Sequence, residues 1–423
     1  MRITLCVASC VAGALWLFPG SVAGQEEPLP RRLTLAQARE LARRSSPEIA
    51  AARHALAAAA GRERQAGAWP NPTLAYSREQ TSRDDQSNAQ DIVSLEQPLE
   101  VGGQRGARRA AAGFARSAAE ARAAAAAAQV DFEVARMYAA AVAAGRRAIL
   151  AEQAAGAFAH AVRTSEARLA SGDVSGYQNR RLALEAARYG AFRLEALVAR
   201  DSALRTLISL TGLADSVGTA ASFQLTDTLI PAPLTISADS LAGLALSHRP
   251  ELRARRFEAD AGAADARLAA AERIPTPLVS AGYKHERPAG AGSLGGFVAG
   301  ISLPLPLWDR RGGAVSAARA EAARRSTEVE ALERQTAREV GVAFTAHQAL
   351  ADQLALLSAQ LGSSAATARQ AAEVAHREGE IGLLEWLDSV RAYQEAEASY
   401  ATLWAEYIAR RAALERATGA TLF

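Results

Sequence analysis

Gln97-Pro98-Leu99-Glu100-Val101-Gly102-Gly103-Gln104-Arg105 stands where one sequence pattern stops and another begins. On its N-terminal side, Thr73–Ser82 and Gln90–Gln97 read as two short strands joined by a polar turn over Arg83–Ala89. On its C-terminal side no proline occurs until Pro231, and Ala, Arg and Glu dominate. Proline breaks helix interiors, whereas those three residues favour them. Residues 99–230 can therefore hold very long helices. Gly172 and Gly176 interrupt the run near its middle, so it reads as a helical hairpin. An arm from Gln104 to Ser171 would extend about 100 Å. A compact globular domain rarely has use for such an arm.

Outward from this stretch, its landmarks recur. Residues 307–423 form a second proline-free run, interrupted at Gly379 and Gly382. Ser46-Pro47-Glu48 returns as Arg249-Pro250-Glu251, Pro70-Asn71-Pro72 as Pro275-Thr276-Pro277, and Gln97-Pro98-Leu99 as Leu303-Pro304-Leu305. Gly102-Gly103 returns as Gly312-Gly313, and Ser171-Gly172-Asp173-Val174 as Glu378-Gly379-Glu380-Ile381. Subtracting first residue numbers gives offsets of 203, 205, 206, 210 and 207. Chance could scatter Pro and Gly, but one shared order at nearly one offset indicates an internal duplication. Each half is expected to open with a helix, Leu35–Ala66 or Ala238–Glu272, ending at Pro-x-Pro. Two strands follow, which in the second half are Leu278–Arg287 and Gly296–Leu303, joined across Pro288–Gly295. There Phe297, Ala299, Ile301 and Leu303 alternate with Val298, Gly300 and Ser302, the period of two of a strand.

The strands have close to the ~9–11 residues that span a bilayer as tilted barrel strands. Four are too few to close a barrel, and an open sheet edge cannot face lipid with its backbone groups unpaired. Either the strands are soluble or several chains pool them. Three chains would give twelve, a closed antiparallel barrel.

The N-terminus points to export. Arg2 precedes an apolar stretch from Ile3 to Phe18, then Pro19-Gly20 and the small residues Ser21-Val22-Ala23. This is the pattern of a secretory signal peptide cleaved after Ala23, since a spanning helix needs about 20 apolar residues. Val7-Ala8-Ser9-Cys10 resembles a lipoprotein processing site but leaves too short a core before the cysteine. Cys6 and Cys10 are the only cysteines, so a mature chain starting at residue 24 would carry no disulfide, Cys-based metal site or thiol nucleophile. The expected organisation is signal peptide 1–23, first repeat 24–230 and second repeat 231–423.

Composition narrows the function. Of 423 residues, 48 are Lys or Arg and 45 Asp or Glu, and Lys284 is the only lysine. The charges are interspersed along helices, without a basic block or aromatic stacking platform, so the isoelectric point near 9.0 does not indicate nucleic acid. There is no GxSxG, HExxH or phosphate-loop motif, which argues against an enzyme and gives no cofactor site. His54, His160, His248, His285, His347 and His376 are scattered and read as surface or packing residues rather than metal ligands. On the last helix, Trp386, Val390, Tyr393, Tyr400, Trp404, Tyr407 and Leu414 fall on alternating steps of four and three, with Glu397 and Arg411 in the remaining slots. That is a heptad seam to be buried against another helix. Ordinary core packing of an amphipathic helix would bury the same stripe. A soluble periplasmic coiled-coil adaptor would share the helices and the signal, but not paired bilayer-length strands in each half.

Together these features resemble the TolC-type outer-membrane factors over essentially the whole mature chain. The stretches that carry the likeness are Leu33-Thr34-Leu35 through Ser46-Pro47-Glu48, Gln97 through Arg105, Leu303-Pro304-Leu305-Pro306-Leu307-Trp308-Asp309-Arg310-Arg311-Gly312-Gly313, and Arg377-Glu378-Gly379-Glu380-Ile381. The resemblance implies a mainly α chain with a small β part. Long hairpins would form a periplasmic tunnel, and four strands per chain would build a homotrimeric 12-stranded barrel in the outer membrane. Such a duct works with a periplasmic adaptor protein and an inner-membrane pump of the RND type. The tips, at Gly172, Asp173, Gly379, Glu380 and Ile381, would meet the adaptor. Glu385 and Asp388 match the two acidic positions that ring the periplasmic entrance. The alternative for that pair is a helix N-terminus favoured by the dipole. The Glu100–Arg105 and Pro306–Gly313 stretches look like the branch serving heavy-metal pumps of the cobalt–zinc–cadmium type, although Arg311 stands where that branch commonly has Asn. Ile381 stands where the family often has an Arg. Drug efflux and type I protein secretion are the other exports compatible with this reading.

Overall fold

The computed structural model describes residues 32–83, 86–213, 224–226, 234, 236–360 and 366–422. The expected signal peptide, 1–23, lies outside the described residues. The chain runs β1 (Arg32–Leu33), α1 (Leu35–Ser45), α2 (Pro47–Ala66), β2 (Thr73–Arg83), β3 (Gln86–Pro98), α3 (Gln104–Ala170) and α4 (Gly176–Leu210). It continues through β4 (Gln224–Leu225), α5 (Ala238–His248), α6 (Pro250–Ala271), β5 (Leu278–Arg287), β6 (Leu294–Ser302), α7 (Gly312–Gln360), α8 (Ala366–Glu378) and α9 (Leu383–Thr418).

The long arm is a single helix of 67 residues, α3. The expected opening helices are each two helices instead of one. Ser46 and Arg249 are extended, at ψ 123° and 119°, because the ring of the following proline excludes helical geometry from the residue before it. Pro47 and Pro250 then start the next helix, where a missing N–H costs nothing. The turn expected over Arg83–Ala89 is shorter than read, since Gln86–Ala89 already belong to β3. The two-residue pair β1–β4, parallel, was not visible in the sequence pattern; it joins Leu33 to the segment between the halves.

One four-stranded antiparallel sheet has the order β2-β3-β5-β6. Its register sorts the side chains. Leu74 pairs with Leu95, Leu95 with Ala281 and Ala281 with Ala299. Two residues further along, Tyr76, Val93, Tyr283 and Phe297 form the next row. These residues, with Val279 and Ile301, make one apolar face, on which Leu74, Tyr76, Val93, Leu95, Tyr283, Phe297 and Ile301 are exposed. The other face carries Thr73, Ser77, Glu79, Gln90, Ser94, Glu96, Ser280, Lys284 and Glu286, with Ile92, Val298 and Leu294 among them. An apolar face open to solvent beside a polar one is the pattern of barrel strands between lipid and lumen.

The helices continue the order of the strands. α2 leads into β2, β3 into α3, α6 into β5 and β6 into α7, and the helices pack α2 on α3, α3 on α6 and α6 on α7. Away from the sheet, α4 packs on α3, α3 on α9, and α9 on α7 and α8. Small residues let these helices approach: Ala135, Ala139, Ala151 and Ala154 of α3 are buried. One core joins α1, α3 and α4 around Leu33, Val134 and Leu207, where the Tyr138 hydroxyl donates to the Leu33 carbonyl at 2.9 Å. A second joins α5, α7 and α9 around Leu241, Val340 and Leu414. Of the heptad stripe, Trp386, Val390, Trp404, Tyr407 and Leu414 are buried, while Tyr393, Glu397, Tyr400 and Arg411 are half-buried. Glu397 accepts from Arg146 of α3 at 2.7 Å. Among the described residues no helix is long and apolar enough to cross a membrane.

Candidate functional site at the hairpin tips

Both hairpins turn in the same way. Gly172 and Gly379 adopt φ of +84° and +82°, the left-handed region that glycine enters without a Cβ penalty. The next residue then bonds back across the helix end. Asp173 N–H donates to the Arg168 carbonyl at 2.9 Å, and Glu380 N–H to the Ala375 carbonyl at 2.8 Å. The glycine N–H groups donate to Leu169 and His376 at 3.1 and 3.2 Å. These bonds satisfy carbonyls that a helix end otherwise leaves open. Gly172, Asp173 and Glu380 are exposed and Ile381 is half-buried against the tip cluster described below.

The return helices start alike too. Ser175 caps α4, and the Gln178 side chain accepts from Ser175 N–H at 3.2 Å. At the same offset of 207, Gly382 stands at the N-cap of α9, and the Glu385 carboxylate accepts from Gly382 N–H at 3.2 Å. Glu385 thus performs the backbone half of a capping box. Asp388 lies one turn further on, exposed, 3.7 Å from Arg391. The structure keeps Glu385 and Asp388 on one exposed face, opposite Trp386, Leu387 and Val390. Their counterparts in the first hairpin are Gln178 and Arg181, a neutral and a cationic residue. The cap therefore needs no charge, and at these two positions only the second hairpin is acidic.

Above the tips an aromatic cluster binds the hairpins together. Phe158 of α3 stacks on Tyr189 of α4, centroids 4.3 Å apart, and meets Trp386 of α9 at 5.4 Å. His376 of α8 also stacks on Trp386, centroids 5.3 Å apart. A cavity of about 430 Å³ opens beside it, lined by His160, Arg168, Asp173, Glu373 and His376 among others. Sequence reading placed Trp386 on the heptad stripe but missed Phe158 and Tyr189, which lie on different helices and share no spacing. Among the described residues no group of three or more His, Cys, Asp or Glu is arranged to hold a metal ion.

A small sheet with one apolar face, extended by helices far longer than a globular domain uses, defines a class: an outer-membrane channel with a periplasmic helical extension. Sequence comparison places the chain within it. Residues 38–213 and 241–420 match the family described as outer membrane efflux protein, and the chain belongs to that family. Relatives include the nickel and cobalt resistance protein CnrC of Cupriavidus metallidurans, 29% identical over 347 residues, 81% of this chain and 79% of the relative. The cobalt-zinc-cadmium resistance protein CzcC of the same organism is 29% identical over 297 residues, 70% of this chain and 67% of the relative. Among solved structures, the outer membrane protein VceC of Vibrio cholerae superposes with a TM-score of 0.73 at 21% identity, over 92% of this chain and 97% of that one. The outer-membrane channel OprN gives 0.75 at 18%, over 92% and 90%. At these identities the superpositions show the fold. The protein is an outer-membrane efflux channel, with its barrel strands in the outer membrane and its helices in the periplasm.

Proposed function

We propose that three copies of this chain form the exit duct of a tripartite efflux system for divalent heavy-metal cations. The observation that carries the trimer is the sheet. It has an apolar outer face, yet among the described residues β2 and β6 are open edges. Open edges cannot sit in hydrocarbon, and three four-stranded sheets close a barrel of twelve. The edge helices agree, because α4 exposes Leu184, Phe192, Leu194 and Val198, and α7 exposes Val342 and Leu356. Each chain contributes two repeats, 24–230 and 231–423, a division supported by the two family matches and the shared tip geometry.

The tips, with Gly172, Asp173, Gly379, Glu380 and Ile381, dock on a periplasmic adaptor, which connects the duct to an RND-type pump in the inner membrane. Glu385 and Asp388, repeated by the threefold axis, form a ring of carboxylates at the entrance that concentrates cations and repels itself when closed. The relatives' resistance to nickel, cobalt, zinc and cadmium supports a metal cargo. Growth of a deletion strain in Co²⁺, Zn²⁺ and Cd²⁺, beside a panel of drugs and detergents, tests it. Selective metal sensitivity, restored by the intact gene, is expected. Sensitivity to drugs alone would overturn the metal cargo and leave the channel.

A further inference from the structure

The apolar face of the sheet ends in a charged row. One row beyond Tyr76, Val93, Tyr283 and Phe297, on the same face, come Arg78, Asp91 and His285, and two residues after His285 comes Arg287. This row lies on the side of the aromatic row away from the helices, hence toward the extracellular end, and β2 and β3 run five residues beyond it. Both tyrosines of the aromatic row point their hydroxyls into the charged row. The Tyr76 hydroxyl donates to Asp91 Oδ1 at 2.8 Å. The Tyr283 ring lies over Gly295, the partner of His285, where a Cβ would sit 1.9 Å from its hydroxyl. Amphipathic rings with their polar ends turned one way mark a membrane–water boundary. The charged row therefore sits at the headgroups of the outer leaflet.

Asp91 is flanked by two guanidinium groups. Arg78 lies 3.8 Å from Oδ1 and Arg287 3.6 Å from Oδ2, both outside hydrogen-bond reach. A single carboxylate holds two cations side by side without using their N–H donors, and both side chains are about half exposed. With Asp91 counted against them, the two arginines leave one net positive charge, and the His285 ring adds a further polar group. We propose that Arg78, Arg287 and His285 form a binding patch for the phosphorylated headgroup of an outer-leaflet lipid. Guanidinium forks match phosphate oxygens in bidentate geometry, and the tyrosine hydroxyls supply further polar contacts at the same depth. The occupant is a lipid rather than a free anion because the patch continues without a break from the apolar face that acyl chains cover. In the trimer the patch recurs three times around the barrel.

The test uses the full-length protein, purified in detergent and probed by native mass spectrometry with lipopolysaccharide, with the same glycolipid after phosphatase treatment, and with inorganic phosphate. Wild type is expected to retain the phosphorylated glycolipid and to release it after dephosphorylation, with inorganic phosphate failing to displace it. R78Q/R287Q should weaken retention about 30-fold, and R78K/R287K much less. Arg310→Gln, on the periplasmic side, should change nothing. Each variant is first checked for an intact oligomer; if the double variant fails this, Arg287→Gln alone should weaken binding about fivefold. Equal retention by R78Q/R287Q, equal binding of the dephosphorylated glycolipid, or displacement by inorganic phosphate would each overturn the proposal.

Discussion

Replacing Glu385 and Asp388 by Gln and Asn separates charge from structure at the start of α9. In Glu385→Gln the amide oxygen can still accept from Gly382 N–H, as Gln178 does for Ser175 at the same 3.2 Å. The remaining cost is the lost interaction of a carboxylate with the helix N-terminus, about 0.3–1 kcal/mol. Asp388→Asn gives up a 3.7 Å pair with Arg391 whose side chains are 75% and 43% exposed, so at most about 0.5 kcal/mol. The double variant should therefore fold and assemble with a melting temperature within a few degrees of wild type. Glu385→Ala, by contrast, loses the cap bond as well, about 1 kcal/mol more. If the six carboxylates of the trimer concentrate cations, E385Q/D388N should lower the cation-to-anion permeability ratio about tenfold. Reversal potentials in planar bilayers under a KCl gradient measure this. The reasoning fails if E385Q/D388N keeps the wild-type ratio. It fails equally if Glu385→Ala alters the ratio while Glu385→Gln does not, since the cap and not the charge would then be responsible.

Three further outcomes are expected. Burial, reinforced by Arg411, lowers the His347 pKa from 6.5 to about 4, so the folded state binds its proton later than the unfolded chain does. Its contribution is nil above about pH 7, and stability falls as pH drops from 6.5 to 4, by up to about 3 kcal/mol per chain; His347→Phe, which keeps a ring against Tyr407, should flatten thermal unfolding against pH in that window, and an unchanged slope would show that other groups cause it. Trp386→Ala removes a buried ring in contact with Phe158 and His376 and should cost about 3–5 kcal/mol. Because the hairpins are long and packed mainly side by side, hydrogen exchange should speed up near residues 155–190 and 370–395 and stay unchanged near Tyr138; uniform loss of protection would contradict this. Arg311, at φ +55°, occupies a left-handed position and holds Glu272 at 2.5 Å through partly exposed side chains. Arg311→Asn should be neutral to about 1 kcal/mol stabilising, since the backbone gain exceeds a weak ion pair; a drop in melting temperature would assign Arg311 a structural role.

The elements themselves were legible because they rest on local rules. A proline-free, Ala-rich run became a 67-residue helix over the residues expected, and Leu278–Arg287 formed a strand with the bounds expected. Where boundaries slipped, a local rule had been given too little weight: Pro47 and Pro250 split the opening helices by restraining the residue before them. The departure at Arg311 was visible as a missing Asn, but only the backbone shows why Asn suits the place.

In the candidate site, Glu385 and Asp388 were singled out by the resemblance to the family, not by their spacing. That Glu385 also caps α9, as Gln178 caps α4, required the hydrogen bonds.

By itself the sequence determined the length of the first arm, the position of the turns and the alternation of the strands. Each depends on the identity of residues near one another in the chain: where proline forbids helix, where glycine permits a turn, and whether apolar residues repeat at two or at three and four. Only the tertiary structure decided that β3 pairs with β5, bringing Asp91 against His285 and within reach of Arg287, and that Phe158 meets Trp386. Those meetings join residues about 200 positions apart. They follow from which apolar surfaces can be buried together and in which register, a choice made by the whole chain at once.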